Sequence, residues 1–394
     1  MREALDEMTV KPSFPKLMIV GAFPPQGSAI FGGVVTGCRL LLESSLPSRV
    51  SLQLIDSTQI TNPPPSFSVR AYLAITRFAK FVRAFEANRP DAVLLFTSSG
   101  ASALEKGLLA WYVRTRGSRA MLFPRGGRLI DAVAGSRATK FLVRSAFRGA
   151  AMVLCQGDAW QRFATEELGF ESAMAPVIPN WTATPRLIQI GRDRPSRSDT
   201  APVELLFVGW VERNKGVLEL VEAFRVISEV TNARLTIVGD GHAMEEIRDF
   251  AFEHGLEDRI MFTGWLDNNS IAEAYAKADV LALPSWAEGL PNAMIEAMAA
   301  RLAVVVSAVG NIPDVVNDGR EALLVPPRNV DALVSALYRL CSDPTLRQSL
   351  ADRGHELASK EFVVETAVTR LLDAVDQVRF QPKARKARDS ITHN

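Results

Sequence analysis

Twelve short apolar runs, most of them rich in Val, Ile and Leu, alternate along this chain with longer stretches of helical character. That alternation constrains the fold more than any other feature. Strands that are apolar on both faces belong to parallel sheets covered by helices on each side. In the first half the predicted strands are residues 16–20, 51–55, 92–96, 120–123, 152–155 and 174–177. In the second they are 204–208, 234–238, 260–263, 280–283, 303–306 and 323–325. Between the two sets, residues 181–202 are rich in Pro, Arg, Ser, Thr and Asp, the composition of a linker. The reading is an α/β protein of two doubly wound, Rossmann-like domains facing each other across a cleft. Ligands of such sheets bind at the C-terminal ends of the strands, so the cleft is the expected site.

Length and composition narrow the class. At ~100–200 residues per domain, 394 residues make two or three domains, and two is the simplest reading. Apolar residues at 47% and charged residues at 23% exclude disordered, collagenous and coiled-coil chains. Cys38, Cys155 and Cys341 form no CxxC and no even framework, which points to a reducing compartment without disulfides or zinc. His242, His254, His355 and His393 make no HxxxH pair, so a metal centre built on imidazole is not expected. The segment MREALDEMTV is acidic and mixed, unlike a secretory signal, and no uncharged apolar run approaches ~18 residues. The expected location is cytoplasmic. No GxGxxG follows a strand, against a dinucleotide oxidoreductase, and no GxxxxGK(S/T) occurs, against a P-loop NTPase.

The most informative stretch, residues 283–300, reads LPSWAEGLPNAMIEAMAA and opens a helix near Pro291. Glu288 lies in the loop before that helix and Glu296 in its second turn. At ~1.5 Å per residue their eight-residue separation spans at most ~12 Å, the scale of a nucleotide-sugar. The free N–H groups of Gly289, Leu290 and Asn292 stand at a helix N-terminus, which attracts phosphate. One segment thus offers two acceptors for hydroxyls and a donor nest for a diphosphate. The plain alternative is a capped helix with solvated glutamates. A second element, VGWVERNKG at 208–216, joins a strand to a helix. Gly209 permits a tight turn there. Lys215 stands at the helix start, where a cation is unfavourable unless an anion is bound beside it. In the first half, residues 20–33 (VGAFPPQGSAIFGG) form a glycine-rich loop ending in Gly32 and Gly33.

With these motifs in this order, the chain resembles the retaining nucleotide-sugar glycosyltransferases of family 4, which have the two-domain GT-B fold. The resemblance is close over roughly 204–327 and looser before it. E-x7-E matches Glu288 and Glu296, G-x5-K matches Gly209 and Lys215, and VGDG matches 238–241, with ADVLALPS, EAMAA and LLVPP completing the series. The resemblance implies an acceptor-side domain at 1–185, a nucleotide-sugar donor domain at 200–361, and a helix near 362–380 crossing back onto the first. It implies that Glu288 holds donor-sugar hydroxyls and Glu296 the ribose hydroxyls. Lys215, helped by the backbone of Gly289 and Leu290, would neutralise the leaving diphosphate, with Gly32 and Gly33 touching donor and acceptor. Neither a metal nor another cofactor is needed on this scheme. Retention is read as front-face attack, with the leaving phosphate helping to deprotonate the acceptor. The implied reaction moves a hexose-type sugar to a lipid-linked saccharide in bacterial surface polysaccharide assembly.

The chain departs from the family at several positions. Trp210 stands where an arginine usually follows the glycine, and Arg213 is the candidate replacement in the donor site. After the fourth strand, where the family often has histidine, Phe123-Pro-Arg-Gly-Gly-Arg128 occurs, making Arg125 and Gly126 the candidate acceptor contacts. Arg125 cannot act as a base, since guanidinium stays protonated. Asn311 and Arg301 replace glycines. Two other readings on the same fold are a non-catalytic sugar-binding or scaffold protein and a nucleotide-sugar epimerase.

Charge is unevenly spread. Residues 1–200 hold 25 Lys+Arg against 15 Asp+Glu, a net of +10, whereas the rest carry 20 against 29, a net of −9. Such asymmetry directs the first domain toward something anionic. A helix at 68–87 carries Ala71, Ile75, Phe78, Val82 and Phe85 as an apolar stripe, with Arg70, Arg77, Lys80 and Arg83 outside it. Either it faces the core with a solvated basic side, or it docks peripherally on the anionic inner face of a membrane. No nucleic-acid module is present, so nucleic acid is not an expected partner. The basic tail at 380–394 reads as frayed.

Overall fold

The structure, a computed structural model, describes residues 14–25, 32–58, 66–98, 100–125, 128–195 and 201–380. Gly126, part of the glycine-rich loop (26–31), part of the linker (196–200) and the tail after Phe380 lie outside the described residues.

Two parallel sheets organise the chain. The first contains β1 (Lys16–Gly21), β2 (Ser51–Asp56), β3 (Ala92–Thr97), β4 (Arg119–Pro124) and β5 (Met152–Val153), in the order β2-β1-β3-β4-β5. The second contains β6 (Val203–Val208), β7 (Ala233–Val238), β8 (Ile260–Gly264), β9 (Val280–Leu283), β10 (Ala303–Ser307) and β11 (Leu323–Val325), in the order β11-β10-β9-β6-β7-β8. Both are doubly wound. The strand order reverses between β1 and β3 in one sheet and between β6 and β9 in the other, which is where ligand crevices open. Strands β3, β9 and β10 are buried along their whole length, as their unbroken apolar runs require. Strand β2 is an edge strand, and none of the residues of its SLQLID is fully buried.

Side chains on β1 show why both faces must be covered. Leu17 and Ile19 enter one apolar cluster, while Met18 and Val20 enter another on the opposite face. Helix Val364–Phe380 supplies Val368, Leu371 and Val375 to the cluster of Leu17 and Ile19. The last helix therefore belongs to the core of the first domain.

Three expectations need correction. Residues 174–177 form no strand: Ser172–Met174 is one 3-10 turn, and only an isolated bridge joins Val177 to Cys155. Pro176 lacks the N–H that a continued ladder would need. The linker is largely structured, because Pro185–Arg192 forms a helix that puts Leu187 and Ile188 into the second-domain core. Thr184 caps it by accepting from the Leu187 N–H at 3.3 Å, and Pro185 occupies its first position. The predicted stripe on the basic helix is also displaced. Helix Phe67–Asn88 buries Phe81 and Phe85, whereas Ile75 is 69% exposed and Tyr72 65%. Among the described residues no helix is long and apolar enough to cross a membrane.

Candidate active site

The loops after β6 and β9 meet because Gly216 has φ +71°, and a Cβ there would lie 2.0 Å from the Pro284 carbonyl oxygen. Only glycine combines that conformation with that approach. The Trp286 N–H then donates to the Asn214 carbonyl at 2.9 Å and locks the two loops together. Their junction places Lys215 Nζ 2.6 Å from Glu288 Oε1, which also accepts from Ser285 Oγ at 2.9 Å. Among the described residues Glu288 Oε2 has no donor, and the N–H groups of Gly289 and Leu290 have no protein acceptor. Helix Asn292–Ala299 begins immediately afterwards, with Pro291 as its N-cap. A cation, two free backbone donors and a helix N-terminus thus converge beside a carboxylate with one open oxygen. This combination suits a diphosphate next to a hydroxyl-bearing group.

One and a half turns into that helix, Glu296 accepts from Tyr275 Oη at 2.9 Å. Burial pushes its carboxyl up to about 7, against the opposing pull of the Tyr275 hydrogen bond and the Arg39 charge. Arg39 lies on the first domain, in helix Gly33–Glu43, so the two domains are electrically coupled at this point. Tyr275 is fully buried, and its hydroxyl is held neutral by burial and by the neighbouring Glu296.

The two domains also touch through polar side chains. Asn180 Nδ2 donates to the Leu290 carbonyl at 2.6 Å and to Asn292 Oδ1 at 2.8 Å, while Gln156 Nε2 donates to Asn180 Oδ1 at 2.7 Å. Asn292 Nδ2 reaches the Gly33 carbonyl at 3.5 Å. Farther along, Asp314 Oδ2 accepts the Ala159 N–H at 2.7 Å, and Asn311 Oδ1 accepts that of Trp160 at 3.4 Å. The glycine replacement at Asn311 therefore lies in the domain junction. That at Arg301, with φ +60°, pairs outward with Asp352 at 2.6 Å.

Between the walls lies a cleft of about 1000 Å³, lined from the second domain by Gly209, Lys215 and Glu288 and from the first by Gly32, Gly33 and Arg125. Residues 202–343 match the family described as Glycosyl transferases group 1. Over 92% of this chain and 99% of the other, the structure matches sucrose-phosphate synthase from Thermosynechococcus elongatus, with a TM-score of 0.73 at 20% identity. This is the GT-B fold. Anabaena HepE in complex with UDP matches over 92% of this chain and 100% of its own, with a TM-score of 0.68 at 16% identity. In sequence, the chain is 28% identical over 218 residues to the lipopolysaccharide core biosynthesis glycosyltransferase LpsE of Rhizobium meliloti, covering 55% of this chain and 62% of LpsE. The matched stretch spans 62% or less of the length of LpsE and of two other curated relatives, a glycosyltransferase of Methanocaldococcus jannaschii and a glycogen synthase of Mycobacterium tuberculosis.

Within this GT-B cleft, most of the residues singled out in the sequence come together, but Arg213 does not. Its guanidinium turns outward to Glu246 Oε1 at 2.7 Å and is 66% exposed. The 3-10 turn Arg213–Lys215 sends consecutive side chains in different directions, and only Lys215 points inward. Trp210 occupies the cleft wall instead, its ring 4.6 Å from that of Trp265 in an edge-on pair. Sequence reasoning missed Tyr275, Asn180, Gln156 and Trp265. Each lies outside the recognised motifs and reaches the cleft only through the winding of the sheets.

Proposed function

We propose that this chain is a retaining, metal-independent glycosyltransferase of family 4 that moves a hexose-type sugar from a nucleoside diphosphate sugar to a saccharide acceptor. The observation that carries the reading is the Lys215–Glu288 pair at 2.6 Å, set beside the unengaged N–H groups of Gly289 and Leu290. As the bond between sugar and diphosphate breaks, negative charge grows on the leaving phosphate. Lys215, these N–H groups and the helix N-terminus stabilise that charge, and they do so most strongly in the transition state. Cation and helix end take the part a metal plays elsewhere. Glu288 keeps Lys215 oriented through Oε1 and offers Oε2 to a sugar hydroxyl. Glu296, eight residues on, accepts the ribose hydroxyls. The HepE complex with UDP and the group 1 match support a nucleotide-sugar donor.

The acceptor is read as a lipid-linked saccharide of a bacterial surface polysaccharide, a reading supported by the similarity to LpsE, a glycosyltransferase of lipopolysaccharide core biosynthesis. The first-domain surface supports it. Helix Phe67–Asn88 exposes Tyr72 and Ile75, helix Ala101–Thr115 exposes Leu108, and helix Arg137–Phe147 exposes Phe141, in the half of the chain with net charge +10. Apolar side chains among cations suit the anionic inner face of a membrane. The direct test is hydrolysis of UDP- and GDP-sugars, with and without EDTA. Release of nucleoside diphosphate should survive the chelator. Abolition by EDTA with rescue by Mn²⁺ or Mg²⁺ would overturn the metal-independent scheme.

A further inference from the structure

Arg125 follows β4 at its C-terminal end and lines the first-domain wall of the cleft. Three aromatic rings surround it. Its guanidinium carbon lies 4.6 Å from the centre of Trp181, 4.9 Å from Phe123 and 5.9 Å from Phe96. Ring faces attract the cation but accept nothing from the five N–H bonds that lie in the guanidinium plane. Among the described residues no hydrogen bond or ion pair engages those donors, and Nη1 is buried without a partner. Burial pulls Arg125 down to about 10, against an opposing pull from the Cys38 thiol. That thiol is itself pushed up to about 11 by burial, so it is neutral and supplies no counter-charge.

The cage is held in place for this arrangement. Trp181 Nε1 donates to the Gly37 carbonyl at 3.0 Å, which fixes the ring against the guanidinium. A Cβ at Gly37 would lie 3.3 Å from Arg125 Nη2, so the glycine leaves the cation room. A largely buried charge without a hydrogen-bonding partner is costly, and the described residues provide no such partner.

We propose that Arg125 is the counter-ion for an anionic group, a phosphate or carboxylate, carried by the acceptor. The inference rests on the glycosyltransferase reading and on the assignment of the first domain to the acceptor. Lys215 and the helix N-terminus already meet the donor diphosphate from the opposite wall. Arg125 therefore addresses the second substrate, and its planar fork matches the two oxygens of an oxyanion. The acceptor is acidic: either its sugar bears the charge, or the diphosphate of a lipid carrier does.

Calorimetric titration of the full chain, saturated with whichever of UDP or GDP it binds, tests this. The probes are glucose, glucose 6-phosphate, glucuronic acid and farnesyl diphosphate in detergent. At least one anionic probe should bind more tightly than glucose, and Arg125→Gln should weaken it about 10- to 100-fold, the range for a charge-assisted contact. Nucleotide affinity should not change in that variant. Arg125→Lys should retain part of the preference. Binding of the sugar acids alone places the charge on the saccharide, and binding of farnesyl diphosphate alone places it on the lipid carrier. Anionic probes binding no better than glucose, or a preference that survives Arg125→Gln, would overturn the inference. If Arg125→Gln does not fold, the wild-type preference and Arg125→Lys decide. Nucleotide binding without any anion preference sinks this inference alone, whereas loss of both UDP and GDP binding sinks the glycosyltransferase reading with it.

Discussion

The two walls of the cleft differ in how they hold their charges. On the second-domain wall every ionised group is engaged by its own domain: Lys215 by Glu288, Glu288 also by Ser285, and Glu296 by Tyr275. On the first-domain wall, among the described residues, Arg125 has rings but no acceptor, and Arg39 Nε has no hydrogen bond, only Glu43 Oε1 at 3.8 Å. A wall whose polar groups are fixed before the ligand arrives needs little reorganisation when charge develops, and this suits the bond-breaking step. A wall with an unmatched cation suits selection of one partner over another, because a ligand lacking the matching anion leaves that charge unpaired.

Removing Lys215 should break this contrast most severely. Lys215→Ala deletes the cation and also frees Glu288 to repel a diphosphate. We expect kcat to fall about 10²- to 10³-fold, the cost of losing one preorganised charge-stabilising group. The melting temperature should change little, because the pair is only partly buried and such pairs contribute modestly to stability. Steady-state rates with a nucleotide-sugar, alongside a melting curve, check both halves. A fall in melting temperature matching the fall in rate would mean that Lys215 is structural.

Glu296 sharpens the contrast through pH. Its carboxyl sits near 7 in the folded protein, against 4.5 for an ordinary glutamate. The folded state thus holds a proton that the unfolded chain has lost, and the associated stability disappears as pH rises from about 4.5 through about 7. Nucleotide binding should run the opposite way, since two ribose hydroxyls need the ionised form as acceptor. At pH 8, Glu296→Gln should weaken nucleotide binding by roughly 1.5–3 kcal/mol, the range for hydrogen bonds to a charged group. At pH 6 wild type and variant should nearly coincide. A constant ratio of dissociation constants across that range would remove Glu296 from the ribose subsite.

How far the sequence reached depended on the distance over which each signal acts. Eleven of the twelve apolar runs are strands, because a doubly covered parallel strand needs little beyond its own side chains to declare itself. Residues 174–177 fail for lack of a continued partner, a property of the sheet rather than of the segment. In the same way Lys215 and Glu288 were legible from local motifs, whereas Tyr275 lies 21 residues before Glu296 and meets it only through the winding of β9 and its helix. Arg213 shows the converse. Its position in the motif loop suggested the donor site, but rotation within a single 3-10 turn pointed it outside, toward Glu246.

The weakest expected effect concerns the outer face of the first domain. Sequence pattern put Arg77 among the free cations of the basic helix, but it is bound to Glu105 by two contacts, at 2.8 and 3.1 Å. Reversing Arg77 would damage the packing of helix Phe67–Asn88 against helix Ala101–Thr115 and confuse the result. Arg70, Lys80 and Arg83 are exposed and suited to the test, as is Ile75, which is 69% exposed. If this face rests on an anionic leaflet, each cation contributes ~1 kcal/mol, screened over ~8 Å at physiological salt. The protein should sediment with vesicles containing anionic lipid, far less with neutral ones, and be released by added NaCl. Lys80→Glu with Arg83→Glu should weaken this attachment about 10-fold or more, since two cations are replaced by two anions. Ile75→Ser should leave the salt-sensitive part intact and remove any binding that persists at high salt, because only apolar contact resists screening. Nucleotide affinity should stay unchanged in all three substitutions, since the proposed donor wall lies on the other domain. Equal sedimentation with neutral and anionic vesicles, or none with either, would leave a solvated basic face and a water-borne acceptor. The charge sought by Arg125 would then belong to the saccharide itself.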